Sequence, residues 1–310
     1  MTLTKDYKVL SCDLDDTLLR EDMTISKYDS RILRELQKLG VNVVLSSGRR
    51  AYDIENRFKQ IGLEKDGAFI IGSCGCEIVK VDKMEPICTK VLSNDTINVV
   101  VDYAQKNNLN LGRNLFHYSI FISQFKEFYY STTHLVYTCQ NPYNLEHLRI
   151  TNIQPLKVDY EAIRKMCLES PPTKLFITED PIAVSSKILP EISKVLPLSS
   201  RALITKAYFC EVIPTDGGKG PALQWLCRNY IHCEMDEVVS IGDSANDVDM
   251  LEMSGLSFAP SNSFDVAKKA AKEVLNWSNM ESAVGRMVNR VFFNGTFLMT
   301  DEEKADSKIE

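Results

Sequence analysis

The residues best suited to chemistry begin with Asp13 and Asp15, which close the apolar run Val9-Leu10-Ser11-Cys12. Their i, i+2 spacing puts both carboxylates on one side of an extended backbone. Two acids held side by side repel and lose hydration. They suit a bound cation, or a nucleophile paired with an acid/base. The plainer reading is an acidic turn after a strand. Two other apolar runs end in the same way. Val41-Asn42-Val43-Val44-Leu45 stops at Ser46-Ser47-Gly48-Arg49, and Glu237-Val238-Val239-Ser240-Ile241 stops at Gly242-Asp243-Ser244-Ala245-Asn246-Asp247. In open parallel sheets, ligands bind just beyond the carboxyl ends of the strands. Parallel strands would therefore gather Asp13, Asp15, Asp243 and Asp247 in one crevice. Unit charges about 4 Å apart interact by about 4 kcal/mol at an effective dielectric of about 20. Such crowding calls for a cation. A hard divalent ion with oxygen ligands answers it, and Mg²⁺ does so best. Mg²⁺ is commonly shared with a substrate phosphate. Ser47 and Lys219 then offer a hydroxyl and an ammonium to phosphoryl oxygens, and Gly48 lets the backbone come close. An aspartate attacking phosphorus gives an aspartyl-phosphate, and Asp15 can protonate the leaving oxygen and then activate water.

The elements that must position these groups alternate between strand and helix patterns. Tyr7–Cys12 reads as a buried strand. Ser26 reads as an N-cap ahead of a helix with Ile32, Leu33, Leu36 and Leu39 on one face, stopped at Gly40. Ala51 to Ile61 reads as a second helix and Ala68-Phe69-Ile70-Ile71 as a third strand. These lengths argue for βαβ units and a parallel sheet. From about Ile87 to Val212 the texture changes. Helical stretches at 94–107, 158–169 and 182–195 mix with strands at 119–122, 174–178 and 202–204, and 123–156 is polar and aromatic. This reads as a separate α+β domain inserted into the first. After Pro214 the alternating pattern returns. Gly218-Lys219-Gly220-Pro221 opens a helix, 237–241 is a strand, Val248, Met250 and Leu251 mark a helix ended by Gly255, and 256–259 is a short strand. The expected organisation is a core in two parts, 1–86 and 213–299, a cap at 87–212 and a disordered, charged tail at 300–310.

Composition bounds the partners. The chain has 310 residues, 44% of them hydrophobic, with a net charge of −6. An acidic chain of this kind disfavours nucleic acid or an anionic membrane as its main partner. An anionic substrate then needs local positive charge or a metal. Nine cysteines include no CxxC, and four histidines show no ligand spacing, so zinc is not expected. The N-terminal residues lack a signal-peptide pattern and no apolar run reaches about 18 residues, so a cytoplasmic location is the expectation. The number of subunits is left open.

Taken in order, these segments resemble the haloacid dehalogenase superfamily, and within it the Cof-type phosphatases with a large type-2 cap. Asp13-Leu14-Asp15-Asp16-Thr17 is similar to the first motif and Ser47-Gly48-Arg49 to the second. Lys219-Gly220 is similar to the third and Gly242-Asp243-Ser244-Ala245-Asn246-Asp247 to the fourth. The inserted region falls between the second and third, and the likeness runs to about Asn289. The first and fourth motifs are specific; the others are weak alone. The resemblance implies a Rossmann-like α/β core with an inserted α+β cap, and Mg²⁺-dependent hydrolysis of a small phosphomonoester, with sugar phosphates the usual targets. It implies Asp13 as nucleophile and metal ligand. Asp15 would be general acid/base and offer its backbone carbonyl to the metal, and Asp243 would be a direct ligand. Asp247 would hold metal-bound water or orient Lys219. Ser47, Gly48 and Lys219 would bind phosphate, with help from Asn246.

Some residues depart from the pattern. Ser47 stands where threonine is commoner, Asp16 where glycine is commoner, and Cys74 where the family usually has asparagine before a glycine. Several of the same residues also have plainer readings. Lys219 read alone is a solvated helix-start lysine, and Arg49-Arg50 reads as a surface pair at a helix N-terminus. Cys74 and Cys76 read as packing residues, and the tyrosines of 128–137 as packing within the cap. Two rival functions follow from the same scaffold: a phosphomutase of the superfamily, or a non-catalytic binder of phosphorylated ligands.

Overall fold

The computed structural model describes residues 7–114, 134–138, 142–143 and 154–307. The strand expected at 119–122 and Tyr129-Tyr130 lie outside the described residues. The chain divides into two compact units. One takes in the chain up to Thr89 and again from Gly217; the other is Lys90–Asp216.

Along the chain the strands are β1 Val9–Cys12, β2 Asn42–Ser46, β3 Phe69–Gly72, β4 Glu77–Lys80 and β5 Glu85–Thr89. They continue with β6 Asn110–Asn114, β7 His134–Tyr137, β8 Gln154–Lys157, β9 Leu175–Thr178, β10 Ser200–Lys206 and β11 Phe209–Pro214. The last three are β12 Val238–Ile241, β13 Leu256–Ala259 and β14 Glu273–Val274. Among the described residues the first unit holds an eight-stranded sheet in the order β14-β13-β12-β1-β2-β3-β4-β5. It is parallel from β14 to β3 and antiparallel at the β3-β4-β5 edge.

Continuous apolar strands arise because both faces of this sheet are covered. Leu10 and Cys12 of β1, Val43 and Leu45 of β2, and Val239 and Ile241 of β12 face one core. That core is filled from the helices Lys27–Lys38, Ala51–Ile61 and Ala283–Phe292 by Ile32, Leu36, Phe58, Met287 and Val288. The intervening Val9, Val44 and Val238 face the other core, with Leu223, Leu226 and Met250. Ser26 caps the first helix, accepting the Asp29 N–H at 2.9 Å.

The register brings the strand ends level. Cys12 lies beside both Leu45 and Ile241. The residues that follow these strands, Asp13, Ser46-Ser47 and Gly242-Asp243, therefore emerge along one edge of the sheet. Asp13 N–H donates to Ile241 O at 3.0 Å and Ser47 N–H to Ile71 O at 2.9 Å, which extends the ladder by one residue into the loops.

Among the described residues the inserted unit holds a six-stranded sheet, β10-β11-β9-β6-β7-β8, antiparallel except between β7 and β8. One face carries Leu111, Leu175, Ile177, Cys210 and Val212 against the helices Asn94–Lys106 and Tyr160–Glu169 and the helical stretch from Pro181 to Val195.

The tail departs from the expected disorder, because Asp301–Asp306 forms a helix. Its charges find partners: Arg31 Nε meets Glu303 Oε1 at 2.5 Å, Arg20 Nη2 meets Asp306 Oδ2 at 3.0 Å, and Lys27 pairs with Glu302. Thr300 and Glu303 form a reciprocal capping box, which supplies the helix start. A charged composition suggests a solvated segment, but these charges are complementary to Arg20 and to Lys27 and Arg31 of the first helix.

Candidate active site

Every residue of the site belongs to the first unit. Asp13 lies just past β1, and Lys219 is the first residue of the helix Lys219–Leu226, whose apolar face seals the second core. That packing drives the Lys219 side chain under the sheet edge, where it is 0% exposed. The solvated reading of Lys219 is thereby excluded. Its Nζ donates to Asp13 Oδ1 and to Asp247 Oδ1, both at 2.6 Å. The second oxygen of Asp247 accepts the backbone N–H groups of Asp243 at 3.1 Å and Ser244 at 3.0 Å. Both Asp247 oxygens thus already serve the protein: one orients Lys219 and the other folds the 243–247 loop. Asp13, Asp243 and Asp247 each present an oxygen within 4.8 Å of the others, and all three are buried.

The charge in this cluster does not balance. With all three carboxylates ionised against one ammonium, two negative charges would stand unmatched in a buried space. Burial first, then Asp247, pushes the Asp13 carboxyl well above the ordinary carboxylate range. Burial, then Asp13 and Asp247, does the same to Asp243. Burial pulls Lys219 down, but Asp13 and Asp247 more than offset it, so its ammonium is held above its ordinary value. The donor set consists of oxygens only, with a surplus of two negative charges. That fits a hard divalent cation, and Mg²⁺ above the softer metals.

The Ser47 loop borders the cluster. The Arg49 N–H donates to Ser47 Oγ at 3.1 Å, so the hydroxyl hydrogen is left to point at an acceptor elsewhere. A Cβ on Gly48 would lie 3.3 Å from Cys74 Sγ and 3.5 Å from Asn246 Nδ2, so the glycine leaves room where the second and fourth motifs meet. Asn246 itself accepts the Ser244 hydroxyl at 2.6 Å. The structure therefore brings together Asp13, Asp243, Asp247 and Lys219, with Ser47, Gly48 and Asn246 alongside.

Three contributors were missed in the sequence. Arg49 is not a surface group. It is largely buried and grips Asp15 with two bonds, Nε to Oδ2 at 2.8 Å and Nη2 to Oδ1 at 2.6 Å. Arg50 instead pairs with Asp53 at 2.9 Å. The i, i+1 arginines part company because the helix starts at Ala51 and turns the two side chains to different sides. Thr17 Oγ1 donates to Asp243 Oδ1 at 3.2 Å, and its place in the Asp13–Thr17 segment was the available signal. The third is the loop Ser73-Cys74-Gly75, all three residues at positive φ (51°, 55° and 82°). Its N–H groups reach Arg49 O at 2.7 Å and Ser47 O at 3.1 Å. A Cβ on Gly75 would sit 1.9 Å from Gly218 O, so only glycine fits against the residue before Lys219. Cys74 is a buried member of this brace.

Comparison with known proteins agrees with this construction. A family model described as haloacid dehalogenase-like hydrolase matches residues 10–288. An uncharacterised hydrolase of Schizosaccharomyces pombe is 28% identical over 302 residues, covering 93% of this chain and 92% of its own length. A 5-amino-6-(5-phospho-D-ribitylamino)uracil phosphatase of Bacillus subtilis is 25% identical, covering 91% of this chain and 95% of its own. The crystal structure of a haloacid dehalogenase-like hydrolase from Bacteroides thetaiotaomicron superposes with a TM-score of 0.72 at 26% identity, over 92% of this chain and 100% of that one. The chain belongs to the haloacid dehalogenase-like hydrolases, as a phosphatase of the Cof type.

Proposed function

We propose that the protein hydrolyses a small phosphomonoester with the help of Mg²⁺, through an aspartyl-phosphate on Asp13. The observation that carries this reading is the buried Asp13–Lys219–Asp247 chain with Asp243 beside it, an arrangement with two negative charges in excess. Lys219 holds Asp13 by Oδ1, which leaves Oδ2 as the attacking oxygen. Lys219, Ser47 and Asn246 take the phosphoryl oxygens. Asp13 attacks phosphorus and the ester oxygen leaves with a proton from Asp15. Asp15 then takes a proton from water, which attacks the same phosphorus and returns Asp13 as a free carboxylate with inorganic phosphate as product. Asp13, Asp243 and the backbone carbonyl of Asp15 would hold Mg²⁺, with Asp247 behind them. The ion supplies charge neutralisation for the phosphoryl group and permits two carboxylates to stay ionised together.

A sugar phosphate or a phosphorylated polyol is the favoured substrate class. The family resemblance points there, and the similar Bacillus subtilis enzyme is named for a phosphoribityl compound. Among the described residues no helix is long and apolar enough to cross a membrane. We place the enzyme in the cytoplasm, where phosphorylated metabolites of this class occur.

The test is phosphate release from a panel of phosphomonoesters with Mg²⁺ and with EDTA. Turnover that EDTA abolishes and Mg²⁺ restores supports the reading. Metal-independent turnover, or none on any member, removes it.

A further inference from the structure

We infer that Arg49 is the positioning residue for proton transfer by Asp15, holding that carboxylate by a two-point grip set against a rigid brace. The inference rests on the phosphatase reading above and extends it to a residue outside the phosphate and metal sets. Arg49 is fixed at three points. Its guanidinium meets both Asp15 oxygens, at 2.8 and 2.6 Å. Its N–H is spent on Ser47 Oγ at 3.1 Å. Its carbonyl receives the Ser73 N–H at 2.7 Å. The Ser73–Gly75 loop behind it carries three successive residues at positive φ, two of them with side chains, a costly conformation kept only where its surroundings hold it.

A guanidinium fork fixes the plane of a carboxylate as well as its place, which an ammonium does not do. Removing Arg49 takes away this two-point hold on the partly exposed Asp15 carboxylate. Asp15 enters the first step with a proton on the second lone pair of one oxygen; with Arg49 in place, that proton passes to the leaving oxygen, and is later taken back from water, along a preset direction. The demand for that proton depends on the leaving group. An alkoxide leaves poorly and needs it; p-nitrophenolate leaves readily without it.

The test compares kcat/KM, which reports the first phosphoryl transfer, for an alkyl phosphomonoester and for p-nitrophenyl phosphate. Arg49→Ala is expected to lose roughly 10²-fold or more on the alkyl ester, within the range for general acid–base catalysis, and less than about 10-fold on p-nitrophenyl phosphate. Retained turnover of the aryl ester shows that the variant folds and binds phosphate. Arg49→Lys is expected to behave like Arg49→Ala. In an Asp15→Asn background, Arg49→Ala is expected to cost little more, because the two groups act as one unit. Equal losses on both substrates, recovery in Arg49→Lys, or additive losses in the double variant would each overturn the assignment. Wild-type protein without metal-dependent turnover would instead remove the phosphatase reading on which it stands.

Discussion

Two buried aspartates in the same unit live in opposite surroundings. Asp29, in the helix Lys27–Lys38, is 1% exposed and Asp13 is 3% exposed. Around Asp29 the hydrogen-bond partners are donors, although Asp306 adds repulsion. The Gly285 N–H reaches its Oδ1 at 2.6 Å, and the Ser26, Ser282 and Ser307 hydroxyls form a chain beside it. Burial raises its carboxyl to about 6, and the hydrogen bonds from Ser26 and Gly285 oppose that rise. Around Asp13 the near neighbours include Asp243 and Asp247, with a single ammonium among them. Asp29 is a carboxylate whose burial the fold offsets in part with hydrogen-bond donors, joining two helices and the tail. Asp13 is one whose burial the fold alone has left unsatisfied. A buried acid matched by donors holds structure together; a buried acid matched by other acids marks a place where something charged must come and go.

The comparison breaks if the two residues behave alike on substitution. Asp13→Asn is expected to lower turnover by about 10⁴-fold or more, the scale of losing a nucleophile. The metal-free protein should keep or raise its unfolding temperature, because a repelling charge is gone; phosphate release and a thermal melt check both halves. Lys219→Ala should cost about 10²- to 10³-fold in kcat, as for a lost electrostatic stabiliser. It should also destabilise by about 3–5 kcal/mol, since the buried carboxylates lose their cation; denaturant titration reads this second effect. Asp29→Ala should reverse the pattern. It leaves the Gly285 N–H without its acceptor and should cost about 1–3 kcal/mol of stability, with kcat/KM unchanged in the folded protein. The smallest effect belongs to the tail. Glu302→Gln should cost little through its exposed pair with Lys27, read as a small shift in the urea midpoint that shrinks in high salt.

Much of the first unit is legible in the sequence because a sheet covered on both faces writes itself as unbroken apolar runs. β1, β2, β3 and β12 are of this kind, and their abrupt polar ends mark the site edge. The gathering of Asp13, Lys219 and Asp243 in one cluster is legible because motif order adds to residue type. β4 and β5 are not legible: Glu77–Lys80 and Glu85–Thr89 mix charges with apolar residues, and a hairpin edge has no such run. The tail helix depends on Arg20, Lys27 and Arg31, hundreds of residues away, so its own composition misleads. Arg49 looks like a surface group in the sequence for the same reason. An arginine reveals its partner only when the fold places Asp15 beside it. Ser73 and Cys74 carry positive φ without being glycine, so no local signal announces the brace.

The central claim is that the fold crowds Asp13, Asp243 and Asp247 in expectation of a divalent cation. Without the ion, the raised carboxyls keep protons in the folded state that the unfolded chain has released. Stability of the metal-free protein therefore falls as pH rises from about 4, where free carboxylates titrate, toward the raised native values. On this account Mg²⁺ would displace those protons and stabilise only the folded form. The direct measurement is the Mg²⁺-induced shift in unfolding temperature at about pH 6 and about pH 8, at matched ionic strength, for the wild type and Asp243→Asn. The account predicts a shift in the wild type that is larger at the higher pH and largely lost in the variant. No shift at either pH, or the same shift in Asp243→Asn, would contradict it.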